Sequence, residues 1–276
     1  MFLPENIDLS SSEKYNLSIR LLPGGFSFAL YCPSDPEVFF YKETTFKDHF
    51  SYNESIKKLI FDYNFFTLPF HHTRVTIVSP KYTIVPDHFF DAEQSDKFFD
   101  FNVKDNEGKI ISDEIAKIKC HVLYDIDPEL YYFLSRNLCN PVFTHHAATL
   151  IRFFSTSTDV VEAGKYCLTN FHNRMLDVCC FHKQQLLSIN TFPIEHSSDP
   201  LYYLFGVWEK LSLDQTNDML YACGDISTHM EVLDTLKKHI RNTSKLDIQT
   251  NTIFREVNRE QIPLDLMTEL YANNKR

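Results

Sequence analysis

Glycine is scarce in this chain, with six residues among 276, so each glycine marks a position where a turn or a close backbone approach is expected. Basic residues are also few: 27 lysines and arginines stand against 37 aspartates and glutamates, a net charge of −10. Without a basic surplus, nucleic-acid binding through phosphate neutralisation is disfavoured. No apolar run reaches the roughly 18 residues that a membrane span requires. The first residues carry neither the basic nor the apolar region of a signal peptide, so a cytoplasmic protein is expected.

Apolar residues make up 43% of the chain, including 25 phenylalanines and 14 tyrosines, which is enough for a sizeable core. A length of 276 residues predicts one large domain or two of ordinary size. The seven cysteines form an odd set without metal-type spacing. Cys179 and Cys180 are adjacent in a predicted strand and face opposite sides, so they cannot form an ordinary disulfide with each other. Reduced, partly buried thiols are therefore expected.

The beginning of the chain predicts a meander of three strands, LSIRLL, FSFALY and EVFFYKETTF. Pro23, Gly24 and Gly25 supply the first turn. An amphipathic helix follows, because the apolar residues of SYNESIKKLIFDYNFF recur at helical spacing. RVTIVSP then predicts a buried strand. The first repeat therefore has the order β-β-β-α-β.

The second half of the chain repeats this order. KYCLTNFH, MLDVCCFH and LLSINTF predict three strands, Asp-Pro at 199–200 starts a helix that is apolar on nearly every side, and MLYACGD predicts the following strand. Thr228 and Glu231 predict a capping box for the next helix. The order β-β-β-α-β thus appears twice, at about 15–80 and about 165–224. This duplication is the strongest internal signal in the sequence.

The region between the repeats is less regular. DNEGKI around Gly108 predicts a turn or an exposed loop. IKCHVLYDI predicts a strand, and Asp127 caps a helix that has Pro128 at its first position. PVFT predicts a short strand before a helix at about 145–154. The polar stretch STSTD, 155–159, is the best linker candidate.

Three segments carry a family resemblance: LSIRLLPGGFSFALY, SINTFPIEHSSDPLYYLFGVWEKLSLD and LYACGDIS. They resemble a family of uncharacterised Bacteroidetes proteins that is grouped with the actin-like ATPases, near the pilus-assembly members. The resemblance covers about 15–270 and implies an α/β fold with mixed sheets, in which two ribonuclease-H-like domains face each other across a cleft. The expected domains are 1–157 and 158–276, with a last helix at about 262–273 that packs back on the first.

The resemblance also implies where a nucleotide would lie. Two hairpin turns of actin-like ATPases, typically Asp-x-Gly, hold magnesium and phosphate. In this chain the first hairpin has Gly24 and Gly25 but no aspartate on the strand before them. The second hairpin has Asn170 where an aspartate is expected and His172 where a glycine is expected. Asparagine lacks the negative charge that Mg²⁺ prefers, and a side chain at His172 hinders close approach of phosphate to the backbone.

The third loop is LYACGDIS, where a predicted strand ends in Gly224 and Asp225 before a helix. In the resembled class this loop contacts adenosine. Its alternatives here are a working ATP site, a retained nucleotide or small-anion site, and a structural turn. Gly224→Val is expected to abolish ligand binding if the cleft is used. No catalytic residue or metal ligand is assigned, and no cofactor is expected, with ATP and magnesium as the alternative.

These observations predict a non-catalytic, actin-like pseudo-ATPase that serves as a scaffold or interaction protein. The alternatives are a divergent ATP-binding protein and a small-molecule sensor that uses the cleft between the domains. The expected partner is an unidentified protein and not a nucleic acid, no membrane span is expected, and the chain is expected to be a monomer or a homodimer.

Other residues with chemical potential are better explained by structure. The doublets His71-His72 and His145-His146 cannot each clamp a metal alone, because adjacent side chains point in different directions. Cys180 and His182 share one face of a predicted strand, where core packing is expected rather than nucleophilic chemistry. Asp127 is expected to be a helix cap rather than a nuclease carboxylate.

Overall fold

The structure is a computed structural model that describes residues 3–4, 6–46, 50–104, 106–156, 164–246 and 262–273. The strands are β1 Asn16–Leu22, β2 Gly25–Cys32, β3 Asp35–Thr45, β4 His72–Ile77, β5 Tyr82–Pro86, β6 Lys109–Ile115, β7 Cys120–Ile126, β8 Pro141–His145, β9 Lys165–His172, β10 Met175–His182, β11 Gln185–Pro193, β12 Met219–Gly224 and β13 Asn242–Lys245. The helices are α1 Tyr52–Asp62, α2 Ser95–Asn102, α3 Pro128–Asn137, α4 His146–Thr156, α5 Asp199–Lys210, α6 Met230–His239 and α7 Leu264–Asn273. The predicted α/β class is confirmed.

Two five-stranded sheets have the same internal order. The first is β3-β2-β1-β4-β8 and the second is β11-β10-β9-β12-β13. In each sheet a three-stranded antiparallel meander is joined by two parallel strands, so that β4 runs parallel to β1 and β12 runs parallel to β9. The duplication expected from the sequence is therefore present as two equivalent sheets.

One face of the first sheet is an apolar core. Leu17 and Ile19 on β1 are almost fully buried and pack with Ile56 and Ile60 of α1. The α1 helix begins with a capping box at Ser51, which satisfies two backbone donors and aims the apolar stripe at the sheet. The opposite face of β1 carries polar side chains instead, and these contribute to the candidate site.

A small third sheet, β5-β7-β6, lies between β4 and β8 in the sequence, together with α2 and α3. The β6 strand was missed by sequence reasoning, which predicted only a turn or loop around Gly108. Gly108 directly precedes β6 and lies so close to β7 that a Cβ atom there would stand 2.7 Å from the Cβ atom of Asp125. The turn at Gly108 is present, but the strand after it was missed because KIISDEI carries three charged residues, which obscure the strand pattern.

Two helices connect the halves in opposite senses. The α4 helix follows the first sheet but packs on the second, where Ile151 joins Phe181 in one core cluster. The α7 helix follows the second sheet but packs on the first, where Leu266 joins Ala29. The α4 and α7 helices also contact each other. The domain division at 157/158 stays a prediction, because residues 157–163 lie outside the described residues.

Three local expectations need correction. The α5 helix is not buried on all sides, since Trp208 is buried while Tyr202 is 77% exposed. The capping box of Thr228 and Glu231 does not form, because the Thr228 hydroxyl donates to the carbonyl of Asp225 and α6 begins at Met230. Ser155 of the expected linker is a buried residue of α4, and positions 157–159 of that linker lie outside the described residues.

Among the described helices, none has the length and apolar character needed to cross a bilayer.

Candidate functional site at the hairpin junction

The two hairpins singled out in the sequence have equivalent registers. Leu22 pairs with Gly25 at the end of the β1–β2 hairpin, and His172 pairs with Met175 at the end of β9–β10. Arg20 lies two residues before Leu22 and Asn170 lies two residues before His172, so the two residues occupy equivalent positions. Across the strand pair, Arg20 faces Ser27 and Asn170 faces Asp177. We call the surroundings of these two pairs the hairpin junction.

Arg20 occupies the position in the first half where an aspartate would be expected. Its guanidinium is 1% exposed and forms two hydrogen bonds with the Asp265 carboxylate, both 2.8 Å long. A third hydrogen bond, 3.2 Å long, reaches the hydroxyl of Ser27. Burial alone would raise the pKa of Asp265, but the adjacent Arg20 charge and its hydrogen bonds hold that pKa below the usual range. The first hairpin therefore carries an internal ion pair.

The same helix supplies a second carboxylate to this face. Glu269 lies one turn after Asp265 on α7 and accepts a hydrogen bond of 3.0 Å from Ser18. Arg74 of β4 approaches it to 3.4 Å. Burial raises the pKa of Glu269, although Arg74 partly opposes that effect. Two acidic residues of α7 therefore match two arginines of the first sheet, which fixes where the helix lies on the sheet.

Asp177 is the centre of the second half of the junction. Its carboxylate accepts hydrogen bonds from the Asn170 amide at 2.9 Å, the Thr191 hydroxyl at 2.8 Å and the His146 Nε2 atom at 3.1 Å. The Nε2 atom of His172 lies 2.8 Å from Oδ2, the oxygen that also accepts from Asn170, as an ion-pair contact without good hydrogen-bond direction. Sequence reasoning expected a lost carboxylate at Asn170, whereas the structure places one on the neighbouring strand.

The charges of this group follow from its surroundings. Burial would raise the pKa of Asp177, but the neighbouring His172 and His146 imidazoles and the hydrogen bond from His146 hold it well below its usual value. Burial would lower the pKa of His172, yet the Asp177 carboxylate outweighs burial and the net pKa is raised. Burial and the nearby His146 depress the pKa of His145 well below its usual value. A charged His172–Asp177 pair therefore lies beside a neutral His145.

The side chains of His146, His172 and Asp177 could also hold a divalent metal, since their donor atoms lie within 4.8 Å of one another. Two imidazoles and one carboxylate suit zinc, which needs a fourth ligand. Zinc-bound histidines normally donate their second ring nitrogen to a partner, whereas the Nδ1 atoms of His146 and His172 have none among the described residues. The Asp177 carboxylate is satisfied by Asn170 and Thr191 without a metal. The geometry fits a hydrogen-bonded ion pair better than a zinc centre.

The α4 and α7 helices, which cross between the halves, contact oppositely charged strand residues at the hairpin junction. At the start of α7, the Asp265 carboxylate contacts the Arg20 cation of β1. At the start of α4, the His146 imidazole contacts the Asp177 anion of β10. Each helix that crosses between the halves is thus tied by its first turn to the other half's hairpin. The strand residue that the helix contacts is a cation, Arg20, in the first half and an anion, Asp177, in the second half.

The ends of the two hairpins touch each other. Leu22, Val78 and Met175 form one buried apolar cluster, with exposed fractions of 2–4%. Beside it, the amide of Asn173 in the second turn donates to the Glu43 carboxylate of β3 at 3.3 Å. The space between the hairpin ends is therefore occupied by the protein's own side chains.

The predicted glycines of the first hairpin lie at its tip. Gly24 has φ of +70°, and a Cβ atom there would have no described residue within 4 Å. Gly25 begins β2, where a Cβ atom would stand 3.0 Å from the carbonyl oxygen of Thr44. Both glycines are explained by the turn and by close strand pairing. Their role in binding a nucleotide stays a prediction.

The third loop is closed against β9. A Cβ atom on Gly224, which has φ of +79°, would stand 2.2 Å from the carbonyl oxygen of Phe171. The amide of Asp225 donates to that same oxygen at 2.7 Å. The Asp225 carboxylate is exposed and accepts from Ser227 at 2.9 Å. The expected test with Gly224→Val is therefore unsound, because that substitution would disturb the fold whether or not a ligand binds.

Sequence reasoning identified Asn170 and His172 at the junction but missed the carboxylates. Asp177 could have been found, because counting from the Asn173 turn places it directly across from Asn170. Asp265 offered no such signal, since it is 245 residues from Arg20 in the chain. The remaining candidates fit structural roles: Asp127 caps α3, and Cys180 belongs to a core cluster.

Comparison with solved structures identifies the fold class. A protein of unknown function with an actin-like ATPase fold from Bacteroides thetaiotaomicron VPI-5482 is 25% identical, with a TM-score of 0.83 over 96% of this chain and 98% of that chain. A chain of the PilM–PilN type IV pilus biogenesis complex is 8% identical, with a TM-score of 0.58 over 95% and 99%. This chain therefore has the actin-like ATPase fold, as the resemblance implied.

The chain belongs to the DUF3822 family, described as a protein family of unknown function, whose profile matches residues 4–243. No curated protein sequence matches it.

Proposed function

We propose that this protein is a non-hydrolysing actin-like scaffold whose nucleotide cleft is closed by its own side chains. The observation that carries the proposal is the buried cluster of Leu22, Val78 and Met175 between the two hairpin ends. In actin-like ATPases these hairpins hold phosphate and magnesium. Here a polyphosphate would have to separate an apolar contact before it could reach either turn.

The charges of the junction support the same proposal. A phosphate group needs free backbone donors or cations. The cation of the first hairpin, Arg20, is already neutralised by Asp265. The second hairpin presents the Asp177 anion, already surrounded by donors from the protein. A bound polyphosphate would lie close to two buried carboxylates, which opposes its binding.

The proposed partner is another protein, and the proposed location is the cytoplasm, with the chain a monomer or homodimer. All seven cysteines are free thiols, five of them buried, which suits a reducing compartment. The PilM–PilN complex provides an example of this fold in a protein assembly, although the likeness is one of fold alone. The proposal for this chain depends on its own closed junction.

Nucleotide binding tests the proposal directly. Thermal unfolding and titration calorimetry are measured with millimolar Mg-ATP, Mg-ADP and magnesium alone. A ligand at 100 times its Kd would add about 2.7 kcal/mol of stability. We expect no nucleotide-dependent change in Tm and no heat of binding.

Two glycine variants locate any response that does appear. Gly24 lies at the first hairpin tip and Gly164 precedes the opposite end of β9, and among the described residues both have open space around an added Cβ atom. Because Gly24 has φ of +70°, circular dichroism and Tm first verify that both aspartate variants fold. If Mg-ATP binds the wild type, and Gly24→Asp abolishes binding while Gly164→Asp does not, the hairpin is a working site. That result would overturn the proposal in favour of a divergent ATP-binding protein.

A further inference from the structure

The β11 strand is an edge of the second sheet within the described chain. Its nine residues, QLLSINTFP, include no charged side chain. Uncharged edges are liable to pair with another strand, and proteins usually protect them with charge, proline or a bulge. A register shift leaves Leu187 as an extra residue opposite β10, which protects the beginning of the edge. The stretch from Ser188 to Phe192 lacks that protection.

Two grooves flank this edge, one on each face of the second sheet. The inner groove has a volume of about 870 Å³ and lies between β11 and β5. The outer groove has a volume of about 620 Å³ and lies between β11 and α5. Both are lined by Ser188, Asn190 and Phe192. A strand added to this edge would direct alternate side chains into the two grooves.

The lining of the grooves indicates what kind of strand would fit. The inner groove offers Tyr82, Ile84 and Ile118 as apolar contacts. Its charged lining residues are Lys119 and Lys117, whose ammonium group also donates to the carbonyl of Ser155, and no acidic residue of the described chain lines it. In a chain of net charge −10, this local positive charge favours an acidic occupant.

The outer groove is aromatic. The rings of Phe192 and Tyr203 stack with centroids 4.3 Å apart and an angle of 7° between their planes. Tyr202 is 77% exposed beside them. Gly206 of α5 lines the same groove, and a Cβ atom there would have no neighbour within 4 Å in the described part of the chain. The absence of a side chain at Gly206 leaves room for an apolar side chain of the added strand.

We propose that the β11 edge binds an extended, acidic and apolar peptide segment of a partner protein, which adds to the second sheet as a sixth strand. This inference rests on the proposed scaffold function and identifies the surface and the class of partner. Backbone hydrogen bonds to β11 supply affinity, the two grooves select alternating apolar side chains, and Lys117 and Lys119 select acidic residues.

A phage-displayed library of random linear peptides, selected on the full chain, supplies the probe. We expect the enriched peptides to alternate apolar residues and to carry aspartate or glutamate. Their synthetic, fluorescein-labelled forms are then measured by fluorescence anisotropy. Failure to enrich such peptides, or enrichment of basic ones, would overturn the proposal.

Gly206→Leu fills the outer groove, and Gly206→Ala is its matched control. We expect the leucine variant to weaken peptide binding by about tenfold or more and the alanine variant to change it little. Circular dichroism and Tm verify that both variants fold. Lys119→Glu should selectively weaken the acidic peptides. Equal binding to Gly206→Leu and Gly206→Ala would contradict the proposed surface.

N-methylated peptides test directly whether the bound peptide adds to the sheet as a strand. N-methylation of the peptide at alternate residues removes amides that bond to β11, whereas N-methylation at the intervening residues removes amides that point away. We expect one set to abolish binding and the other to preserve it. Equal loss in both sets would contradict strand addition.

Sedimentation velocity distinguishes a partner from a second copy of this chain. If the wild type is a dimer and the Gly206→Leu variant is a monomer, the β11 edge binds β11 of a second molecule and not a partner peptide. The nucleotide titrations are independent of these measurements. Failure of peptide binding with no nucleotide response would reject this inference alone, whereas nucleotide binding would reject the proposed function.

Discussion

The buried ion pair between Arg20 and Asp265 permits a quantitative test of how the junction is held. Both side chains are at most 5% exposed, and two hydrogen bonds of 2.8 Å join them. Arg20→Met leaves Asp265 as an unpaired buried anion, and Asp265→Leu leaves Arg20 as an unpaired buried cation. Breaking one side of a buried pair typically costs about 3–5 kcal/mol, since the remaining charge loses its partner in a poorly solvated site.

The double variant should behave differently from the sum of its parts. Replacing both residues removes both charges and leaves no unpaired buried ion, so we expect a loss of no more than about 2 kcal/mol. The double-mutant cycle should then give a coupling energy of several kcal/mol, measured as free energies of unfolding in urea. For a chain of this size each kcal/mol lowers Tm by roughly 2–4 °C, so the single variants should also be visible by calorimetry.

A surface ion pair provides the control. Lys57 and Glu129 join α1 to α3, with side chains that are 27% and 69% exposed. Lys57→Met and Glu129→Leu should show a coupling of about 0–1 kcal/mol, because exposed pairs are well solvated and screened. If the cycle at Arg20 and Asp265 gives a coupling as small as this control, the α7 anchor is not an ion pair of structural importance and our account of the junction fails.

Three further predictions concern the second half of the junction and its surroundings. Gly224→Ala should lower the free energy of unfolding by at least about 2 kcal/mol, because Gly224 has a positive φ and an added Cβ atom would clash with Phe171. Gly206→Ala should raise it by about 0.5–1 kcal/mol, because alanine favours the helix more than glycine does. Urea denaturation measures both, and a Gly224→Ala variant as stable as the wild type would refute the close approach. The raised pKa of His172 stabilises the fold fully below its unfolded pKa of about 6.5, and this stabilisation is lost as pH rises through the folded pKa. The depressed pKa of Asp177 acts in the opposite sense, stabilising above about 3.9 and losing that effect as pH falls through the folded pKa. His172→Gln should remove the alkaline part of this dependence in urea midpoints measured against pH, and an unchanged profile would show that the pair does not titrate as described. Finally, zinc chloride and EDTA should leave Tm unchanged; a zinc-dependent rise that disappears in His172→Gln would instead establish a metal centre.

Much of the fold could be predicted because it depends on local patterns. The two meanders have short turns between their strands, and the α1 helix that follows the first meander has a clear apolar stripe. The β6 strand escaped notice because Lys109, Asp113 and Glu114 obscure its alternation. The capping box at Thr228 was wrong because the turn after Gly224 uses that hydroxyl to bond Asp225 instead.

The site was harder to predict because it depends on contacts between distant parts of the chain. Asn170 signalled a missing carboxylate, yet the carboxylate lies on the adjacent strand at Asp177, where only the register reveals it. At the first hairpin the sequence indicated only that the strand before the glycines has no aspartate, and Arg20 is the residue at that position. The role of Arg20 depends on Asp265 of α7, a helix that follows the second sheet in the sequence.

The buried charges of the hairpin junction give it a role that apolar residues could not fill, although apolar residues would give similar stability. A buried ion pair contributes little net stability compared with well-packed apolar groups, but it strongly penalises a misplaced partner. The two halves have equivalent sheets, so α4 and α7 face similar surfaces and could be exchanged. Asp265 of α7 matches the cation on β1, whereas His146 of α4 matches the anion on β10. Exchange would place the Asp265 carboxylate against the Asp177 carboxylate, so the opposite signs of Arg20 and Asp177 oppose an exchange of the two helices.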